Sequence, residues 1–161
     1  MENIEFKSNN IKENKEDKIS TKILNREDLL NIIYRNGLEF PDDRFSHLGN
    51  GVFEFFNLYG DSNSTHYPAI FLGDKIVGIA ELMQDPDNDK NFWIKHISID
   101  PEYENMGYAS RLSKSIFCFA KEIGYSVETS PYSDAGFEKL KPLFNKLSKE
   151  YEVKFIDKGK I

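Results

Sequence analysis

His96-Ile97-Ser98-Ile99-Asp100-Pro101-Glu102-Tyr103-Glu104-Asn105-Met106-Gly107-Tyr108-Ala109-Ser110-Arg111-Leu112 decides how the chain is read. The apolar run that enters this stretch has the length and content of a buried strand. It stops at Asp100-Pro101, where proline removes a backbone donor, and an amphipathic pattern restarts as a helix at about Gly107. A helix start leaves N–H groups without intrahelical partners and carries partial positive charge, so the loop Glu104–Ser110 suits a phosphate or pyrophosphate. Gly107 and Ala109 are small enough for a ligand to approach the backbone. The competing reading is a plain strand-to-helix turn with glycine there for geometry alone.

Outward from this stretch, Phe92–Asp100 reads as the central strand. The helix Gly107–Ile123 carries Leu112, Ile116, Phe119, Ala120 and Ile123 at helical spacing and is closed by Gly124. Before it, Ala69–Leu72, the pair Gly73-Asp74 and Lys75–Met83 form a hairpin pattern, with Val77, Ile79, Glu81 and Met83 expected on one face. Asp85-Pro86-Asp87-Asn88-Asp89 suggests calcium but fails on spacing, since Lys90 stands where the tight turn needs Gly and His96 where a bidentate Glu is needed. A polar loop is the better reading. Tyr125–Thr129 reads as a further strand. Asp134–Tyr151 reads as a helix with Phe137, Leu140, Phe144, Leu147 and Tyr151 on one face and a kink or break at Pro142, and Glu152–Ile156 as a last strand.

Towards the N-terminus, Ile19–Leu24 is a weakly alternating first strand. Asn25 caps a helix whose apolar face is Leu29, Leu30, Ile32 and Ile33 and which ends near Gly37. Residues 1–18 read as a flexible arm, with an extra strand or partner-binding segment as the alternative, and 19–161 as one domain. Leu38–Tyr67 holds Pro41, the turn Gly49-Asn50-Gly51 and a short helix expected over Val52–Tyr59. Its acids Glu39, Asp42, Asp43, Glu54 and Asp61 favour a cationic amine if they line a site, and are a solvated surface otherwise.

The 161 residues, 39% of them hydrophobic, suit a single domain with a real core. A net charge of −6 argues against a nucleic-acid binder. Cys118 is the single cysteine, which excludes an intramolecular disulfide and a cysteine metal cluster, and the three histidines His47, His66 and His96 lack close metal-ligand spacing. With neither a leader pattern nor a long apolar run, a cytoplasmic protein without membrane attachment is expected.

The strand, Ile99-Asp100-Pro101-Glu102-Tyr103, the loop and the helix, in that order, resemble the GNAT superfamily of N-acetyltransferases. That family's signature is an Arg or Gln, two residues, a Gly, one residue, then Gly or Ala. Gly107 and Ala109 fill the small positions, and Glu104 stands in the Arg/Gln slot. The resemblance covers roughly residues 22–156 and is specific over about 75–124. It implies an α/β (α+β) fold with a mixed, mostly antiparallel central sheet, flanking helices and central strands that splay apart. It also implies acetyl-CoA as co-substrate, no metal, and transfer of an acetyl group to a primary amine.

By the same resemblance, backbone groups of Ile97, Ser98 and Ile99 would pair with the pantetheine arm. The N–H groups of Asn105, Met106, Gly107, Tyr108, Ala109 and Ser110 would hold the pyrophosphate, and Arg111 or Lys114 would meet the 3′-phosphate. Deprotonation of the amine falls to His96, to Glu81 or to a water chain. The family's thiolate-protonating tyrosine has phenylalanine in its place, Phe137 or Phe144, so either Tyr132 substitutes or the thiolate leaves unassisted. The rival reading is a fold of this kind that binds CoA or a partner without turnover. The acceptor and the oligomeric state, monomer or dimer, stay open.

Overall fold

A computed structural model describes residues 18–33, 64–73, 75–129 and 135–157. Strand β1 (Ile19–Asn25) alternates half-buried and exposed residues until Leu24, which is buried. Asn25 ends it by capping helix α1 (Arg26–Ile33): its Oδ1 accepts from the Asp28 N–H at 2.7 Å, and Asp28 Oδ2 accepts from the Asn25 N–H at 3.4 Å. This reciprocal pair satisfies donors that a helix start leaves open. The expected continuation to Gly37, the arm and the expected helix over 52–59 lie outside the described residues.

Strands β2 (Ser64–Leu72) and β3 (Lys75–Gln84) form the hairpin, turning at Gly73 with φ +63°. Strand β4 (Asn91–Ile99) follows a polar turn in which the Asp87 N–H donates to the Asp85 side chain at 2.9 Å. A 3₁₀ turn (Pro101–Tyr103), helix α2 (Tyr108–Ile123), strand β5 (Ser126–Thr129), helix α3 (Ala135–Tyr151) and strand β6 (Phe155–Ile156) complete the chain. The strands form one six-stranded sheet in sequence order, antiparallel from β1 to β4 and parallel from β4 to β6. Among the described residues, no helix is long and apolar enough to cross a membrane.

Each sheet face is covered by helix. Leu29 of α1 packs with Leu24, Tyr67, Phe71, Ile76 and Ile79 on one face. On the other, Ile116 and Phe117 of α2 and Phe144 and Leu147 of α3 pack with Ala80, Leu82, Phe92 and Ile94. Four expectations are corrected here. Val77 does not share the face of Ile79: the β2–β3 register shifts between Ile70 and Phe71, and Val77 instead joins Ile70 and Leu112 under α2. The buried stripe of α2 is Leu112, Ser113, Ile116, Phe117 and Ala120, whereas Ile123 is 41% exposed. Of the kink or break expected at Pro142, the break is absent: helix α3 runs on through it. Glu152 does not begin a strand but takes φ +55° to end α3, and the Val153 N–H then donates to the Ser148 carbonyl at 3.0 Å.

Candidate functional site

Strand β4 ends where its last ladder bond, from the Asp100 N–H to the Val77 carbonyl at 2.8 Å, meets Pro101. Asp100 is 1% exposed. Its Oδ1 accepts from the Glu102 N–H at 3.1 Å and opens the 3₁₀ turn, while Oδ2 lies 3.6 Å from Lys75 Nζ. The same ammonium stands 5.2 Å from the centre of the Tyr103 ring. The corner after β4 is therefore pinned to the start of β3 before the loop begins. Asn105 and Gly107 then both adopt left-handed backbone, at φ +63° and +81°, and turn the chain into α2. Both residue types tolerate that conformation.

Gly107 caps α2 without a side chain. The Arg111 N–H makes the first intrahelical bond, to the Gly107 carbonyl at 3.0 Å, so the N–H groups of Tyr108, Ala109 and Ser110 stand at the helix start with no intrahelical acceptor. They border a cleft of about 430 Å³. Its walls are Ile97 and Ile99 from β4, Tyr103, the loop from Glu104, and Lys139 and Leu140 from α3. A second cleft, of about 460 Å³, lies on the other side of Gly107–Ser110 and carries Arg111, Lys114 and Lys146 with Glu150. Exposed amides, a helix dipole and four cationic side chains fit a phosphate-bearing ligand, and an approaching chain meets open space at the Gly107 Cα. Glu104 is exposed and lines the same cleft, and it opposes such a ligand electrostatically.

The described β4–β5 pairing comprises four register pairs, from Asn91↔Ser126 to Ile94↔Thr129. Beyond Ile94, β4 runs on beside β3 to Ile99. Within this segment the β3–β4 register also shifts. Ile94 and Ile97 both pack against the α2 side, so the two residues between them, Lys95 and His96, are presented together on the opposite face.

That opposite face holds the two candidate bases. Glu81 and His96 are register partners on β3 and β4. Glu81 is completely buried, with Lys95 Nζ 3.4 Å from its Oε1, and neither carboxylate oxygen has a well-formed hydrogen bond among the described residues. Burial raises its pKa above the ordinary carboxylate range, and Lys95 and the nearby Ser64 hydroxyl pull it back in part. Tyr67, close by on β2, is pushed up to about 12 by burial and by Glu81, so its phenol stays neutral. His66 lies on the α2 side, against Phe92 and Phe119 at 5.3 and 5.2 Å, and burial lowers its pKa.

Among the residues named from sequence, Ile97, Ile99, Asn105, Gly107, Tyr108, Ala109 and Ser110 border the first cleft. Met106, 61% exposed, borders the second. Ser98, Glu81 and His96 do not line the first cleft, because strand alternation turns them to the other sheet face. Tyr132 lies outside the described residues. Sequence reasoning passed over Lys95 and Lys139. The first reads as an ordinary strand lysine until the register shift turns it beside Glu81, and the second reaches the cleft only because α3 packs on α2.

The end of β4 and a helix start that can hold an anion together border one binding cleft. Residues 28–136 match the family model described as "Acetyltransferase (GNAT) family", and the chain belongs to that family. No curated protein matches it in sequence. Solved structures of similar fold include a GNAT-family protein from Desulfovibrio desulfuricans, with 11% identity, TM-score 0.51, and 80% of this chain and 83% of that one covered. The ribosomal-protein-S18-alanine N-acetyltransferase of Escherichia coli has 16% identity, TM-score 0.50 and coverage of 80% and 76%. A Bacillus subtilis acetyltransferase in complex with CoA has 14% identity, TM-score 0.50 and coverage of 81% and 76%.

Proposed function

We propose that the protein is an acetyl-CoA-dependent N-acetyltransferase that moves the acetyl group to a primary amine. The observation that carries this reading is that the β4 segment at Ile97 and Ile99 and the open amides of Tyr108, Ala109 and Ser110 border one cleft. An extended pantetheine arm can pair with the first while its pyrophosphate meets the second, and one of the CoA complexes of similar fold is consistent with such a ligand. Bound there, acetyl-CoA supplies an activated thioester. The chain then has to hold an amine against it, remove a proton and stabilise the oxyanion.

A backbone N–H of β4 in the stretch Ile97–Ile99, beside the cleft, is the donor proposed for the oxyanion. Glu81 is the favoured base: a carboxylate whose pKa burial has raised accepts a proton more readily than an ordinary one, and His96 stands opposite it on the next strand. Arg111, Lys114, Lys139 and Lys146 surround the loop with positive charge suited to the CoA phosphates. Glu104 is the feature that favours the second reading, a CoA-binding protein without turnover. Wild-type protein mixed with acetyl-CoA and a panel of primary amines, scored by free CoA, separates the two. Release with at least one amine is expected, and tight acetyl-CoA binding with no release from any amine would overturn the enzyme reading.

A further inference from the structure

We propose that Lys95 is a positioning residue: its ammonium, paired with Oε1, holds the buried Glu81 carboxylate in place and keeps it ionised. This rests on the acetyltransferase reading of the site. Glu81 has no exposed side-chain surface, whereas Lys95 is 32% exposed and stands 3.4 Å from Oε1. A carboxylate removed from water without a counter-charge reverts to its neutral acid, which cannot act as a base. Among the described residues, no other ammonium or guanidinium comes within ion-pair distance of Glu81.

The other groups around it do not substitute. From β2 come the Ser64 hydroxyl and the Tyr67 phenol, neutral in the working range; Arg26 of α1 acts on Tyr67. From β4 come Lys95 and His96, and Glu128 of β5 lies on the same sheet face one strand further on, beside Trp93. The register shift that turns Lys95 to this side is itself informative. In a regular strand, one of the two residues between Ile94 and Ile97 would face the apolar α2 side, and the shift spares a charged residue that position while bringing it to Glu81.

The test is a carboxyl-carbon NMR titration of full-length protein labelled in glutamate, with Glu81→Gln identifying the resonance. Lys95→Met and Lys95→Gln should both move the Glu81 midpoint to higher pH, and Lys95→Arg should leave it near wild type. In turnover the acid limb should move the same way. At a pH on that limb the two uncharged variants should lose about tenfold in kcat, one pH unit of displacement being tenfold in the ionised fraction, with acetyl-CoA affinity unchanged. An unchanged midpoint in both uncharged variants overturns the inference whether or not the protein turns over. A displaced midpoint in a protein that acetylates no amine upholds the ion pair's hold on Glu81 and overturns the acetyltransferase reading instead.

Discussion

Glu81 is placed where a buried charge costs stability, and it is the base that we propose. Because its folded pKa is raised above the ordinary value of 4.5, the native state binds the proton more tightly than the unfolded chain does. Its contribution to stability is therefore full below that value and is lost as pH rises through the folded pKa. Glu81→Gln should accordingly melt above wild type at pH 7, by roughly 2–4 °C for each kcal/mol relieved, and the gap should close as pH falls towards the ordinary carboxylate range. The same substitution should lower turnover by about 10²–10⁴-fold with acetyl-CoA binding retained. Calorimetric melts at two pH values, paired with rate assays, check both. A Gln variant that melts lower at pH 7 would mean that the Lys95 pair outweighs the burial. His96→Ala, compared at one pH and across the range, shows whether the imidazole shares the work, since the amine's own titration imitates that of a base.

Glu104 poses an independent question on the rim of the cleft. Its carboxylate is exposed and borders the same space as the helix-start amides. Glu104→Gln and Glu104→Arg should tighten acetyl-CoA binding at low salt, and the Arg advantage should shrink as salt rises. Weaker binding by both would give Glu104 a positive role, such as orienting a cation across the cleft.

At the scale of elements, the cleft depends on how closely β3, β4 and α2 approach. A Cβ at Gly78 would stand 2.7 Å from Ile99 Cδ1 and 3.4 Å from Leu112 Cδ1. The isoleucine tip can move, but Ile99 forms a wall of the cleft. Gly78→Ala should therefore reduce acetyl-CoA affinity by roughly 3–10-fold, about 0.6–1.4 kcal/mol, measured by titration calorimetry. Unchanged affinity would mean that Ile99 yields away from the ligand. Gly107→Asp is the harsher change, adding a side chain at φ +81° and a negative charge at the amides, and should remove most binding.

The elements that sequence reading placed well are those with chemical punctuation. Asp100-Pro101 stops a strand, and Gly107 and Gly124 sit in left-handed backbone at the two ends of α2. What it missed depends on partners distant in the chain. Neither register shift has a local signature, because each is settled by which neighbouring strand and helix receive Val77 or Lys95. The buried stripe of α2 includes Phe117 rather than Ile123 because α3 and β6 bring Phe144 and Phe155 against that ring, at 6.0 and 6.1 Å. The strand-to-helix loop was readable; the pairing of Lys95 with Glu81 was not.

Across the whole molecule, a chain of net charge −6 gathers Arg111, Lys114, Lys139 and Lys146 around one helix start. A ligand held there should bind more weakly as salt rises. It should also stabilise the native state, by about 2.7 kcal/mol when free ligand is at 100 times its Kd. The most direct test is a ¹H–¹⁵N NMR titration of the full chain with acetyl-CoA, followed amide by amide. The account predicts displaced signals along Ile97–Ile99 and at Tyr108–Ser110, with those of Asn88–Lys90 and Gly124, at the far end of β4 and α2, unmoved. Saturable binding that leaves Tyr108–Ser110 undisturbed, or that centres on another part of the molecule, would contradict it.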